Sequence, residues 1–256
     1  MTKAHGQFVW YELMTTDMKA AETFYRDVIG WGAKDAGMAG MAYTLFTVGD
    51  GMVGGMMALP AEAHSEDAQP GWVGYVAVDD LEASVASLTA AGGTLHKGPM
   101  DIPGVGRAAY VSDPHGAVIA LFWTDQGEAP AVPPGTPGHA GWHELLAGDG
   151  PEAFTFYSGL FGWTRDQAMD MGEMGVYQLF AAGAGAVGAV MTKPADCPRP
   201  FWNFYFTVEA IDAAQARVEA GGGKVVTGPM EVPNGQWIIQ CLDPQGAFFS
   251  LVAPHR

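Results

Sequence analysis

Two glutamates are the residues of this chain best placed to do chemistry. Glu12 stands in the run Trp10-Tyr-Glu-Leu13, and Glu144 in the run Trp142-His-Glu-Leu145. Each is a lone acid in an apolar, aromatic stretch with strand character. Burial in such a strand disfavours the charged carboxylate and raises its pKa. A carboxylate tuned in that way can act as a general base or accept a hydrogen bond from a ligand. It can also be structural, tied to a backbone N–H, a Tyr or an Arg, because perturbed acids occur in both settings.

Other chemistries find less support. Cys197 and Cys241 are far apart and make no C-x-x-C pair, so neither a disulfide framework nor a zinc finger is expected. There is no phosphate-cradling glycine loop, no dinucleotide fingerprint and no nucleophile elbow. The chain carries 12 Lys+Arg against 28 Asp+Glu, a formal charge of −16. That argues against sequence-independent binding to nucleic acid and against docking on anionic lipid. The polar opening Met-Thr-Lys-Ala-His-Gly-Gln has no secretory pattern, and a soluble cytoplasmic protein, monomer or homodimer, is the expectation. With 256 residues, 48% of them hydrophobic, the chain can hold one large domain or two small ones.

The elements that must position the glutamates are written twice. Trp10-x-Glu-Leu13, Phe24-Tyr25 and Gly30-Trp31 recur 132 residues later as Trp142-x-Glu-Leu145, Phe156-Tyr157 and Gly162-Trp163. Tyr43-x-Leu-Phe46 recurs as Tyr177-x-Leu-Phe180. Trp72-x-x-Tyr75, Gly98-Pro-Met100 and Asp113-Pro-x-Gly116 recur at an offset of 130. Such a repeat fixes the architecture before any single element is assigned. Residues 1–124 form the first copy and 139–256 the second, joined by a linker over 125–138 rich in proline. In each copy a strand leads to a helix capped by Asp17 or Asp149 and stopped by Gly30 or Gly162. Two strands follow, and the pattern restarts at Val73 with a strand, a helix opened by Asp79/Asp80 and three more strands. The uncharged stretch Met174–Thr192 is long enough to cross a bilayer. Its alignment with the paired strands Tyr43–Val48 and Val53–Leu59 makes it two strands and a turn instead. Asp113 and Asp243 belong to turns, and Tyr25 and Tyr157 to helix packing. Trp72 and Trp202 point toward a core or an interface.

Taken together, these features resemble the vicinal oxygen chelate superfamily of glyoxalases, extradiol dioxygenases and bleomycin-resistance proteins. The residues that carry the resemblance are the strand–Asp–helix–Phe-Tyr–Gly-Trp run, the Val-Asp-Asp-Leu-Glu82 restart and the Asp-Pro-x-Gly turn. The resemblance implies an α+β fold of four βαβββ modules, paired into two glyoxalase-like domains with open curved sheets around a cavity. It also implies metal-ligand positions, which here hold Trp10, Val73 and Ala120 in one copy and Trp142, Asn203 and Ser250 in the other. Indole, isopropyl and methyl groups cannot donate to a divalent cation, and a catalytic site needs about three protein ligands. The seven histidines do not compensate. His5, His64, His96, His115, His139, His143 and His255 show no match between copies, and His143 should face away from the lost ligand position. No metal and no cofactor are therefore expected.

If the lost ligand positions face the cavity, alternation along each strand brings Glu12 and Glu144 to the same side. Tyr75, Tyr205 and Asn203 join them from the restart strands. The expected site is thus Trp10, Glu12, Tyr75, Trp142, Glu144, Asn203 and Tyr205, apolar and aromatic with a few polar groups, as small-molecule sites are. Glu12 and Glu144 are the candidate catalytic residues. The function expected is metal-independent binding of a small apolar or aromatic molecule. The alternative is a lyase, isomerase or hydrolase using one glutamate as base on a carbonyl compound.

Overall fold

A computed structural model describes residues 4–38, 40–60, 69–127 and 132–256. His64 and part of the linker lie outside the described residues. The fold is α+β, with two eight-stranded sheets, one per sequence copy, and four principal helices. The first copy contributes β1 (Phe8–Thr15), α1 (Met18–Ile29), β2 (Gly32–Asp35), β3 (Tyr43–Val48) and β4 (Gly51–Ala58). It continues with β5 (Gly71–Ala77), α2 (Leu81–Ala90), β6 (Thr94–Ile102), β7 (Gly106–Ser112) and β8 (Val118–Trp123). The second copy repeats the series as β9 (Ala140–Ala147), α3 (Gly150–Phe161), β10 (Thr164–Asp170), β11 (Val176–Ala181) and β12 (Ala186–Thr192). Then come β13 (Phe201–Thr207), α4 (Ile211–Ala220), β14 (Lys224–Glu231), β15 (Trp237–Leu242) and β16 (Phe248–Ala253).

Local chemistry accounts for the element ends. Asp17, Asp80 and Asp149 sit in extended backbone and accept from Ala20 N, Ala83 N and Glu152 N at 2.9–3.0 Å. Gly30 and Gly162 end α1 and α3 in the left-handed region, at φ 89° and 69°, where a Cβ would be strained. The helix α4 starts at Ala210 without a side-chain cap, and the Ile211 N–H donates to the His255 carbonyl at 3.0 Å. Within each βαβββ module the strands run in one order, β2-β3-β4-β1, with β1 parallel to β4. The stretch Met174–Thr192 contains β11 and β12, as the repeat requires. Among the described residues no helix is long and apolar enough to cross a membrane.

Compactness divides the chain differently from the repeat. One unit comprises Met1–Val9, Val73–Ala131 and His143–Trp202; the other comprises Trp10–Trp72, Val132–Trp142 and Asn203–Arg256. Each unit therefore combines a module of one copy with a module of the other. The core of each is built on one buried hydrogen-bond chain. In the second unit, Trp72 Nε1 donates to the Tyr25 hydroxyl at 3.0 Å, and that hydroxyl donates to Asp243 Oδ2 at 3.0 Å. In the first unit, Trp202 Nε1 donates to Tyr157 at 3.2 Å, and Tyr157 donates to Asp113 Oδ2 at 3.4 Å. Tyr25 and Tyr157 are thus more than packing residues, and the turn residues Asp113 and Asp243 are more than turn residues. Both aspartates are buried, and each takes two further backbone N–H donors into Oδ1. Burial, with the neighbouring aspartate, holds both phenols well above the ordinary tyrosine range. A second pair of anchors follows the same symmetry. Trp31 Nε1 donates to Gly138 O and Trp163 Nε1 to Gly6 O, each at 2.7 Å.

In the first unit His143 is buried. Its ring stacks on Phe8 with centroids 4.2 Å apart, and Nδ1 donates to Val187 O at 2.7 Å. Burial lowers its pKa from 6.5 to about 4, with the Val187 bond opposing.

Two expectations about stability follow. Tyr25→Phe leaves the Trp72 N–H and Asp243 Oδ2 without this partner, and should cost about 2–4 kcal/mol in urea unfolding. Tyr157→Phe should cost less, because its aspartate contact is longer. His143 is held neutral, so its contribution to stability is complete above pH 6.5 and is lost as the pH falls from 6.5 toward 4. The full swing is roughly 3 kcal/mol. Urea midpoints at pH 7 and pH 4.5 should therefore fall less in His143→Phe than in the parent; an equal fall in both proteins would show that the acid sensitivity lies elsewhere.

Candidate functional site

The site is best followed from β1. Alternation along Phe8–Thr15 sends Tyr11 and Leu13 one way and Trp10, Glu12 and Met14 the other. Tyr11 packs edge-on against Phe204 and Phe206 in the second unit, and burial lifts its phenol well above the ordinary range. On the opposite face Glu12 is 3% exposed. The Tyr43 hydroxyl donates to Glu12 Oε2 at 2.8 Å, and Trp10 Nε1 donates to the Tyr43 oxygen at 3.1 Å. Gly55 lies directly across the parallel register from Glu12. A Cβ there would collide with the Tyr43 ring and hydroxyl, so the glycine makes room for the phenol that holds the carboxylate. Three side chains thus form one directed chain, from indole N–H through phenol to carboxylate.

The first unit contains the counterpart. Glu144 is 6% exposed, and the Tyr177 hydroxyl donates to its Oε1 at 2.9 Å. Here Ala189 stands across the register where the other copy has glycine. Trp142 is half-buried and lies at the end of the second unit's segment. Tyr75, in the first unit, is buried and its hydroxyl shares a 2.7 Å hydrogen bond with Tyr110. Tyr205, in the second unit, accepts from Gln240 Nε2 at 3.0 Å. Asn203 is buried and takes a 3.0 Å hydrogen bond from Ser250 Oγ into Oδ1. The structure therefore brings Trp10 and Glu12 together and gives every predicted polar member a buried or half-buried place. Tyr75 and Glu144 belong to one unit, and Trp10, Glu12, Trp142, Asn203 and Tyr205 to the other.

The residues that sequence reasoning passed over are the holders of these groups: Tyr43, Tyr177, Tyr110 and Gln240. Tyr43 and Tyr177 were visible in the repeat, because Tyr-x-Leu-Phe recurs in both copies. Their role was not, because it requires knowing which strand lies beside β1.

A glutamate accepting from a tyrosine is a charge-assisted hydrogen bond, strong and geometrically defined. It can hold a proton at a fixed place or pass one between oxygen atoms. As a metal site the residues fit poorly. Trp10, Val73, Ala120 and Trp142 offer no donor for a divalent cation, and Asn203 and Ser250 are engaged with one another. Among the described residues no group of three or more His, Cys, Asp or Glu side chains is placed to hold a metal ion.

Comparison with known proteins agrees with this duplicated architecture. The model of the Glyoxalase/Bleomycin resistance protein/Dioxygenase superfamily matches residues 7–121 and again 137–251. CFP32 of Mycobacterium tuberculosis, a protein that carries the name glyoxylase, is 33% identical over 96% of this chain and 94% of its own length. The anthracycline biosynthesis protein DnrV of Streptomyces peucetius is 32% identical over 97% of this chain and 94% of its own. The crystal structure of the Mn(II)-bound glyoxalase of Novosphingobium aromaticivorans superposes with a TM-score of 0.66 at 17% identity. It covers 98% of this chain and 82% of that one. With its family pattern matched once in each copy, the chain belongs to the Glyoxalase/Bleomycin resistance protein/Dioxygenase superfamily.

Proposed function

We propose that this protein binds a small, largely apolar or aromatic molecule without the aid of a metal ion. The observation that carries the reading is the Trp10–Tyr43–Glu12 chain, with its Tyr177–Glu144 counterpart. Each places a buried carboxylate in the grip of a tyrosine, and in the first copy the Trp10 indole joins the pair. An indole stacks on planar ligands, while the phenol–carboxylate pair supplies one oriented polar contact. Trp10, Val73, Ala120 and Trp142, at positions where the family resemblance implies metal ligands, offer no donor to a cation and support a metal-free reading. Two relatives are named for anthracycline biosynthesis, so an anthracycline is a reasonable first probe.

The repeated Tyr–Glu pair favours a second reading. A carboxylate 2.8–2.9 Å from a phenol can take a proton from carbon next to a carbonyl, while the phenol steadies the oxygen that gains charge. Glu12 or Glu144 would then be the base, and the reaction a lyase, isomerase or hydrolase step.

Native mass spectrometry of the purified chain should show a co-purified organic mass. Elemental analysis after dialysis against a chelator should find well under one divalent ion per chain. One tightly held ion per copy would overturn the metal-free reading. Equilibrium dialysis with an anthracycline should show binding that Trp10→Ala weakens about tenfold. Glu144→Gln and Glu12→Gln separate the two readings: a binder keeps its affinity within a few-fold and has no turnover to lose, whereas an enzyme keeps binding and loses turnover by 10²-fold or more.

A further inference from the structure

The two units carry equivalent helix–helix seams, and among the described residues only one of them is filled. In the second unit Arg217 of α4 reaches the C-terminal end of α1. Its Nε and Nη2 both donate to the Val28 carbonyl, at 3.1 and 2.9 Å. A helix leaves its last carbonyls without partners, and a cation is favoured at that pole. Alongside, Phe24 is only 2% exposed. A Cβ added at Gly221 or Gly223 would come within 2.9 Å of its ring, so the two glycines make its seat.

In the first unit the repeat places Ser87 where the other has Arg217, Ala91 for Gly221, Phe156 for Phe24 and Leu160 for Val28. The hydroxymethyl of Ser87 is too short to cross the seam. Ala91 supplies the methyl group that Gly221 withholds, so Phe156 cannot sit as Phe24 does and is half-buried. What remains is an open groove of about 700 Å³, whose lining includes Ser87, Ala91, Pro114, Glu152, Phe156 and Leu160. Glu152 is exposed on its rim, 3.5 Å from His115.

We propose that this groove docks an arginine-bearing segment of a partner protein, whose guanidinium takes the place that Arg217 fills in the other unit. The chain itself supplies the template, since the same fold position accepts an arginine across the same seam. The electrostatics favour a cation: the carbonyls at the C-terminal end of α3 are negative where the guanidinium would sit, Glu152 in the first turn of α3 adds negative charge about 12 Å away at the far end of the groove, and the chain carries a net −16. The space greatly exceeds one arginine side chain and leaves room for flanking apolar residues against Pro114 and Phe156. Arginine is preferred to lysine because two N–H groups from one planar fork converge on a single carbonyl.

The test uses the full chain and the fluorescently labelled peptide Leu-Arg-Leu-amide, read by anisotropy. Saturable binding is expected. Replacing arginine by citrulline, which keeps the shape and removes the charge, should weaken it at least tenfold. The double variant S87R/A91G rebuilds the filled seam, and should raise the melting temperature and abolish binding. Glu152→Lys, an exposed change that spares the core, should weaken binding severalfold. Equal binding of the citrulline peptide would overturn the proposal, as would undiminished binding to both S87R/A91G and Glu152→Lys. If sedimentation showed a dimer of the unliganded chain that S87R/A91G dissolves, the occupant would be a second copy, and the partner-segment proposal would fail.

Discussion

Each half of this molecule depends on one buried tyrosine that speaks to two distant places at once. Tyr25 accepts from Trp72 and donates to Asp243, a residue 218 positions away. An unpaired buried carboxylate is strongly unfavourable, and so is an orphaned indole N–H. The phenol resolves both, because its oxygen is donor and acceptor together. Asp243 is then satisfied from three sides, by Tyr25 and by the N–H groups of Gln245 and Ala247. The same turn that closes β15 onto β16 becomes a socket for a helix from the other sequence copy. The aromatic surround, with Trp31, Phe46 and Phe249 within ring contact of Tyr25, excludes the water that would compete for these bonds.

This arrangement explains which parts of the fold were legible in the sequence. Helix bounds were legible because Asp17, Asp149, Gly30 and Gly162 act within four residues of themselves. The strands flanking them were legible wherever one face is buried. The edge strands β2 and β10 were not. Thr164–Asp170 reads Thr-Arg-Asp-Gln-Ala-Met-Asp and is exposed along nearly its whole length, so it lacks the alternation that marks a strand. The regrouping of modules was not legible either. Tyr25 and Asp243 each look ordinary where they stand, one a helix residue at core spacing and the other a turn aspartate. Their pairing is a property of tertiary structure and leaves no local trace. The Gly-Trp pairs read as helix stops, yet Trp31 and Trp163 also tie down Gly138 and Gly6 at the opposite copy's start.

The candidate site divides along the same line. Strand parity was enough to put Trp10 and Glu12 on one face, because alternation is a short-range rule. It could not name Tyr43, which arrives from β3, 31 positions along the chain from Glu12. Nor could it name Gly55, whose missing side chain lets the phenol reach Glu12. A glycine inside a strand usually weakens it. Here the missing side chain leaves the space that the Tyr43 ring occupies.

Duplication sets the pattern of what has stayed fixed and what has drifted. The Trp–Tyr–Asp chain appears in both units with the same donors and acceptors. Altering any one member leaves a buried polar group stranded, and the cost falls on a core shared by both copies. Positions that close a helix end carry no such penalty, since water can satisfy an exposed carbonyl. It follows that Arg217 and Ser87 can differ at a helix end while Tyr25 and Tyr157 are the same residue in both units. The symmetry of the core and the asymmetry of its edges thus have a single cause: a buried hydrogen bond constrains both of its ends, and a solvated one constrains neither.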